Sequence, residues 1–159
     1  MDDYLVKMDI SGLTGRLKRL NDLFVYQTKE FYQEFDIDIE PNWHMIFLML
    51  EENENLTVTE MAEATKLSHP AIIKLTNKMK KRGYLESFQD PNDLRKQQLK
   101  LSKKAKNKMD QLKKYWEAGE KSLNDLVNNR KELLKEMELL ENNLIEKSFK
   151  ERMVEYLHT

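Results

Sequence analysis

Two closely spaced helix-start signals constrain the fold of this chain more than any other feature of its sequence. Thr57 and Glu60 form a Thr-x-x-Glu capping box, which predicts a helix from there to about Thr65. Ser68 predicts a second helix start eleven residues after the first, and Pro70 is tolerated in its first turn because that backbone nitrogen has no helical partner. Since two residues, 66 and 67, remain for the turn, the spacing predicts a helix-turn-helix.

The second of these helices has two chemically different faces. The residues expected to face the core are Met61, Ala62 and Ala64 on the first helix and Ile72, Leu75 and Met79 on the second. The opposite face of the second helix mixes apolar, amide and cationic side chains, namely Pro70, Ile73, Lys74, Asn77 and Lys81, with Lys78 and Lys80 beside them. Gly83 is expected to end this helix. Because an Asn amide can read adenine bidentately and an Ile side chain can contact a thymine methyl group, the mixed face suits the major groove of DNA.

A β-hairpin is predicted directly after this helix. Residues 84–88 and 97–101 are typical of short strands, and the tip between them, residues 89–96, has turn-forming residues at its start and cations at its end. A ribbon that carries Arg95 beside a recognition helix is a wing, whose arginine can reach a minor groove or the DNA backbone. Asp93 is expected to orient the Arg95 guanidinium, with an inconsequential surface ion pair as the alternative. The stretch therefore predicts a winged helix-turn-helix.

Positive charge is concentrated in the same segment. Residues 66–114 contain 15 Lys and Arg against 4 Asp and Glu, whereas residues 1–65 contain 5 against 14 and residues 115–159 contain 7 against 10. The formal net charge of the whole chain is −1, so the cations are segregated rather than in excess. Because the basic segment coincides with the helix-turn-helix, we expect it to hold nucleic-acid phosphates rather than to be a merely solvated face.

Helices with apolar stripes flank this motif on both sides. The first stripe consists of Ile10, Leu13, Leu17, Leu20, Phe24, Phe31 and Phe35. After a break at residues 36–41, a short helix over residues 43–50 is apolar on almost every side and should be buried, and residues 51–55 are interpreted as a polar loop. Ser102 is expected to cap a long basic helix that ends at a joint near Asn128 and Asn129. The last helix carries Leu133, Met137, Leu140, Leu144 and Phe149 along one side.

These stripes indicate how the chain is organised. A small winged domain cannot cover them all, so a second copy of the chain is the simplest partner. The sequence therefore predicts a mostly α fold with a small β-wing, in which a winged helix-turn-helix lobe is joined to a helical dimerisation lobe. We expect residues 36–102 to form the DNA-binding domain and residues 1–35 and 103–159 to form the dimerisation lobe.

Composition and motif content argue against other classes of protein. The chain contains no Cys, and no apolar run approaches the roughly 20 residues that span a bilayer. With an acidic start unlike a signal peptide, it is interpreted as a cytoplasmic protein with no membrane partner. The three His residues are too scattered to propose a metal site. No nucleophile arrangement, phosphate-binding Gly-rich loop or paired-acid motif is evident, so neither an enzyme nor a cofactor is predicted.

The winged segment resembles the multiple antibiotic resistance regulator (MarR) family. The similarity lies in residues 56–62 (LTVTEMA), 67–72 (LSHPAI) and 81–85 (KRGYL), and in the wing residues 90–95 (DPNDLR) followed by residues 99–102 (LKLS). It is specific over about residues 40–105 and topological outside them. Three positions depart from the pattern of the family, since Lys66 replaces a common Gly, Leu94 a frequent second wing Arg, and Ser102 the usual Thr.

The resemblance implies a homodimeric bacterial transcription regulator, most simply a repressor, that binds a pseudo-palindromic operator in double-stranded DNA. It also implies a cleft between the two lobes, where a small aromatic effector would shift DNA affinity. Trp43, His44, Phe47 and Tyr115 are the candidate lining of that cleft, and a plain buried helix is the alternative interpretation of the first three.

Sequence and resemblance together name one set of expected DNA contacts. They are Thr57, Ser68, His69, Pro70, Ile73, Lys74, Asn77, Lys78 and Lys81 on the two helices and Arg95 and Lys96 on the wing. The alternative function is a winged-helix module that docks proteins without reading DNA sequence. The outward cations favour DNA, because a protein-docking face would be expected to expose more apolar area.

Overall fold

The computed structural model describes residues 2–91, 93 and 95–158 of the chain. Asn92 and Leu94 of the predicted wing tip therefore lie outside the described residues, and so do Met1 and Thr159. The chain divides into two compact units, residues 1–109 and residues 110–159. The lobe boundaries at residues 35 and 102 stay a prediction, because they concern the assembly of two copies.

The first unit begins with a short helix and a long one. Helix α1 spans Tyr4–Lys7, a 3-10 turn follows at Asp9–Gly12, and α2 spans Leu13–Glu34. The apolar stripe predicted for this region is present, but most of it is exposed within the chain, including Leu17, Leu20 and Phe24. Tyr32, near the end of α2, is the buried exception.

Three further helices form the centre of this unit. A 3-10 turn at Pro41–Trp43 leads into α3, His44–Glu52, and the helix-turn-helix consists of α4, Val58–Thr65, and α5, His69–Lys81. The predicted burial of the α3 region is confirmed for Trp43, Ile46, Phe47 and Leu50, but Leu48 is exposed. Ala64 was expected in the core and is also exposed, because the short α4 turns only Met61 and Ala62 inward.

A small antiparallel sheet completes the wing. Strands β1 (Asn55–Thr57), β2 (Leu85–Gln89) and β3 (Gln97–Leu101) lie in the order β1-β3-β2. The two predicted hairpin strands are confirmed, with β2 shifted by one residue. The prediction of a loop over residues 51–55 is wrong at both ends, since α3 continues to Glu52 and β1 begins at Asn55. A three-residue edge strand is too short to show alternation, so β1 left no pattern in the sequence.

The core of the first unit lies where the helices meet this sheet. Its fully buried side chains come from every element around the sheet and include Trp43, Ile46, Phe47, Met61, Ile72, Met79, Tyr84 and Leu99. Because protein interiors are closely packed, this apolar centre fixes the positions of α5 and the wing.

The remaining chain is helical. Helix α6 spans Lys103–Leu126, and its first turns, with Ala105 and Met109 buried, belong to the first unit. The joint predicted at Asn128 and Asn129 is confirmed, since both adopt left-handed φ angles of 52° and 55°. Helices α7 (Glu132–Glu146) and α8 (Phe149–Leu157) correct the prediction of one continuous last helix, because Ser148 and Glu151 form a second capping box that starts α8. No helix in the described part of the chain is both long and apolar enough to cross a membrane.

Candidate nucleic-acid interface

Helix α5 presents the face that the sequence predicts. Ile72, Thr76 and Met79 point into the core, whereas Ile73, Lys74, Asn77 and Lys81 are exposed, Ile73 at 46% of its surface. Leu75, expected inward, is only half-buried, and Thr76 was not foreseen in the core. The Thr76 hydroxyl is buried without cost because it donates a hydrogen bond to the Ile72 carbonyl at 2.9 Å.

Two side-chain caps fix the helix-turn-helix. The Thr57 hydroxyl accepts from the Glu60 backbone nitrogen at 3.2 Å, and the Glu60 carboxylate accepts from the Thr57 backbone nitrogen at 2.7 Å, which confirms the capping box. The Thr57 backbone nitrogen and hydroxyl both donate to the Glu60 carboxylate, at 2.7 Å and 2.8 Å, and these two bonds hold the pKa of Glu60 below its usual value. Ser68 accepts from the Ala71 nitrogen at 3.3 Å and so caps α5. In the turn between the helices, Lys66 adopts a left-handed φ of 57°. Glycine adopts this φ readily, which fits the Gly that is common here in the family that the segment resembles.

The C-terminal cap of α5 turns the backbone toward the first strand of the wing. Gly83 adopts a φ of 75°, and the backbone nitrogens of Gly83 and Tyr84 donate to the carbonyls of Lys80 and Met79, both at 2.9 Å. These two bonds form a Schellman motif, whose left-handed position favours Gly. Ser102 closes the far end of the hairpin, since its hydroxyl donates to the Gly83 carbonyl at 2.6 Å and accepts from the Ala105 nitrogen at 3.1 Å.

The wing projects one arginine into solvent. The Arg95 side chain is 93% exposed, and its Nε donates to Asp93 Oδ1 at 3.2 Å. The same carboxylate oxygen accepts from the Arg95 backbone nitrogen at 3.1 Å. The ion pair between Asp93 and Arg95 is present, as both interpretations expected, and so exposed a pair contributes little to stability. That Asp93 orients this guanidinium toward DNA stays a prediction.

A cleft of about 580 Å³ separates α5 from the wing. Six of the residues expected to contact DNA line it, namely Thr57, His69, Ile73, Asn77, Arg95 and Lys96, together with Val58, Thr59, Glu60, Thr76, Lys80, Gln97 and Leu99. The other five expected contacts, Ser68, Pro70, Lys74, Lys78 and Lys81, lie outside this lining. The cleft therefore brings together the amide and the apolar side chain proposed to read bases with the two cations of the wing.

The connector between α2 and α3, residues 36–40, is acidic, and its contacts were not predicted from the sequence. Asp38 accepts from the ammonium groups of Lys104 at 2.8 Å and Lys108 at 3.0 Å, and also from the Tyr84 hydroxyl. Partial burial raises the pKa of Asp38, but these hydrogen bonds outweigh it and hold the pKa well below its ordinary value. Burial and the Asp38 carboxylate raise the pKa of Tyr84.

The second acid of the connector contacts α5 itself. Glu40 accepts from the Lys78 ammonium at 2.9 Å and from the Arg82 guanidinium at 3.2 Å. Lys78, an expected DNA contact, is thus already paired with a carboxylate of its own chain. The acidic composition of residues 36–40 was visible in the sequence, but its partners lie 38 residues or more along the chain, beyond the reach of any local pattern.

The residues proposed to line an effector cleft are divided between core and surface. Trp43 and Phe47 are both 0% exposed, and their rings lie 5.9 Å and 5.4 Å from that of Tyr84. His44 is exposed, with Nδ1 2.9 Å from the Pro41 carbonyl oxygen, and Tyr115 belongs to the second unit. Among the described residues, the Trp43 indole nitrogen has no hydrogen-bond partner although it is buried.

The fold has close structural relatives with low sequence identity. An overoxidized AbfR bound to DNA is 17% identical with a TM-score of 0.66, covering 89% of this chain and 99% of that one. A mutant MarR from E. coli complexed with operator DNA is 18% identical with a TM-score of 0.64, covering 90% and 99%. The S. aureus MepR–DNA complex is 13% identical with a TM-score of 0.65, covering 84% and 96%.

A comparison of sequences matches the winged segment to a known family. The profile of the MarR family matches residues 37–96, which include the acidic connector, the helix-turn-helix and the start of the wing, while no curated protein matches the chain. The matched segment is the one whose caps, recognition helix and wing are described above. With that segment carried on a fold shared along most of its length with MarR and MepR, the resemblance to the MarR family of winged-helix, DNA-binding transcription regulators is confirmed for residues 37–96.

Proposed function

We propose that this regulator is a homodimeric repressor that reads a pseudo-palindromic operator through α5 and the wing. The observation that carries the proposal is the cleft between these elements, which is lined by Ile73 and Asn77 of α5 and by Arg95 and Lys96 of the wing. Three structural relatives are themselves complexes with DNA, which supports a double-stranded DNA partner. A protein seated across neighbouring grooves would exclude other proteins from that DNA, which is the simplest route to repression.

The proposed contacts with DNA differ in the kind of interaction that each side chain makes. Asn77 carries an amide donor and acceptor that match the edge of adenine, and the exposed Ile73 one turn earlier suits a thymine methyl group. Lys74, on the same exposed face, is a point charge suited to a phosphate or a guanine. Arg95 extends from the wing, where a narrow A·T-rich minor groove would attract its guanidinium.

Unburied apolar side chains support the dimer. Within the described residues, α7 and α8 have no buried residue, and Leu133, Met137, Leu140 and Leu144 remain exposed along one side of α7. A two-fold dimer that covered this side would present two α5 helices to DNA. Their half-sites should then lie about 10–10.5 bp apart, or a multiple of that spacing, which makes the operator pseudo-palindromic.

An effector, if the repressor has one, is proposed to be a small aromatic molecule bound near Trp43, His44, Phe47 and Tyr115. The buried indole nitrogen of Trp43 offers an unused donor, which supports a polar partner there. Quenching of tryptophan fluorescence on titration with small aromatic acids, together with weaker operator binding, is the expected result. Unchanged fluorescence and operator affinity across such a panel would reject the effector and leave Trp43 and Phe47 as core residues alone.

The DNA proposal is tested by measuring affinity for a selected operator and for random DNA over a series of salt concentrations. Asn77→Ala should lose about 1–3 kcal/mol at one base pair and leave random binding unchanged. Lys74→Ala, if its ammonium binds phosphate, should weaken both DNAs alike and lower the salt slope by about one per half-site. Arg95→Ala should weaken binding most where A·T pairs flank the half-site.

A matched control separates these contacts from a general loss of charge. Lys121→Ala removes one exposed cation from the second unit and should leave the operator preference and the salt slope unchanged. If the Lys74, Asn77 and Arg95 triple mutant binds both DNAs as tightly as the wild-type protein, these side chains do not form the DNA surface. The chain would then be interpreted as a protein-docking module.

A further inference from the structure

A row of three cations along α5 is divided between two environments. Lys74 and Lys78 of α5 and Arg82, the C-cap residue after it, are spaced by four residues, so they lie along one side. The Lys78 ammonium and the Arg82 guanidinium both donate to Glu40, at 2.9 Å and 3.2 Å. Lys74 makes no ion pair within residues 2–91, 93 and 95–158. A carboxylate of the same chain therefore holds two of the three cations beside the proposed DNA face.

The two cations differ in how firmly they are held. The Arg82 guanidinium also donates to the Asp38 carbonyl at 2.9 Å and lies 5.1 Å from the centre of the Trp43 ring. The Lys78 ammonium bonds, within the described part of the chain, to Glu40 alone. Both Lys78 and Glu40 are partly exposed, at 47% and 25% of their side chains. Lys78 is therefore the cation that can exchange its partner without breaking the connector.

We propose that Glu40 competes with DNA phosphate for Lys78 and so sets how many phosphates the recognition helix neutralises. The inference rests on the proposed function, in which α5 docks on DNA. A carboxylate and a phosphate accept the same charge-assisted hydrogen bonds from one ammonium. While Lys78 is bonded to Glu40, fewer counterions are released on DNA binding and a negative charge stays at the edge of the interface.

This competition makes Glu40 a determinant of the sequence-independent part of affinity. Phosphate contacts carry no base information, so their gain or loss changes binding to operator and random DNA by the same factor. A carboxylate that only positioned α5 would act differently, because a misplaced helix loses base contacts and hence operator binding alone. If Glu40 competes for Lys78, its loss changes binding to operator and random DNA alike. If Glu40 only positions α5, its loss weakens operator binding alone.

The variant Glu40→Gln distinguishes them, since glutamine keeps the size of the side chain and removes its charge. We expect affinity for operator and random DNA to rise several-fold at low salt, by equal factors. The plot of log affinity against log salt concentration should steepen by about 0.9 for each half-site that gains a phosphate contact. Glu52→Gln, at the exposed end of α3, removes the same charge away from Lys78 and should leave the slope unchanged.

A double-mutant cycle assigns the effect to Lys78. In a Lys78→Ala background, Glu40→Gln should leave the salt slope unchanged, because the exchangeable ammonium is gone. An unchanged slope for Glu40→Gln alone, a gain that persists without Lys78, or a loss confined to the operator would each overturn the competition. Failure of the proposed function would look different, because the wild-type protein and Asn77→Ala would then show the same preference between operator and random DNA. Thermal unfolding of each variant confirms that it is folded.

Discussion

Helices α5 and α7 are both amphipathic and of similar length, 13 and 15 residues, yet their apolar sides are buried to different extents. The apolar side of α5 packs inside the first unit, where Ile72 and Met79 are completely buried. Helix α7 has no buried residue within the chain, and Leu140 is 39% exposed. The difference shows that an apolar stripe tells us that a helix needs a partner, but not which polypeptide supplies it.

The same contrast has a thermodynamic side. Because the core of the first unit is closed within one chain, its contribution to the free energy of unfolding should not depend on protein concentration. The order of α7 and α8 in the proposed dimer is linked to association, so their stability should rise with concentration. Substitutions in the two units therefore have different signatures, and five of them test the contrast.

The largest effect is expected from Leu140→Glu. In a symmetric dimer each subunit would bury one new carboxylate, whose desolvation costs on the order of 3 kcal/mol per subunit. Analytical ultracentrifugation should therefore show a monomer, or an unfolded chain, in place of a wild-type dimer. Asn142→Glu introduces the same charge two residues later on the same exposed helix, on its opposite side, and should leave the dimer intact. A folded wild-type monomer at micromolar concentration would remove α7 as the dimer surface.

Phe47→Ala should give the next largest effect, within the first unit. Phe47 is fully buried and meets the Tyr84 ring edge-on, so truncation leaves a cavity and should lower the free energy of unfolding by about 3–5 kcal/mol. Urea unfolding is the measurement, repeated at several protein concentrations. Leu48→Ala removes an exposed side chain from the same helix and serves as the control. An equal loss from both variants would mean that α3 does not form the core of this unit.

What could be predicted from the sequence depended on the distance between interacting residues. The caps at Thr57 and Ser68 use partners three residues away, and both were predicted with the helices that they start. The ion pair between Glu40 and Lys78 spans 38 residues and exists only once the connector packs beside α5, so no local pattern in the sequence could predict it. The break before α8 is intermediate, because the Ser148 and Glu151 box was readable but lay within a continuing apolar stripe.

The connector offers a smaller, pH-dependent test in Asp38→Asn. The hydrogen bonds from Lys104, Tyr84 and Lys108 outweigh the partial burial of Asp38 and lower its pKa in the folded state. The ionised carboxylate therefore contributes stability that is present above the unfolded pKa of about 3.9 and is lost as the pH falls below it. We expect a loss of about 1–2 kcal/mol at pH 7, discounted because the side chain is half-exposed.

The pH profile is the decisive measurement for this variant. The gap in unfolding free energy between the wild-type protein and Asp38→Asn should be full at neutral pH and should narrow below about pH 4. Asp110→Asn removes a carboxylate from an exposed position of α6 and should show no comparable gap at neutral pH. A gap for Asp38→Asn that stays constant down to acid pH would mean that its charge does not hold the connector.

The smallest losses of stability are expected from substitutions in the two capping boxes. The same local motif occurs once in each unit, so the two losses can be compared directly. The Thr57 hydroxyl accepts from the Glu60 nitrogen at 3.2 Å, and the Ser148 hydroxyl accepts from the Glu151 nitrogen at 3.3 Å. Because the contacts match, Thr57→Ala and Ser148→Ala should each remove about 1 kcal/mol. Thermal unfolding over a wide range of protein concentrations separates them, since the loss at Thr57 should be the same throughout, whereas the loss at Ser148 should appear in the concentration-dependent transition. Two shifts that are both independent of concentration would show that α8 is stable without a second chain, and that its exposed apolar residues do not serve the dimer.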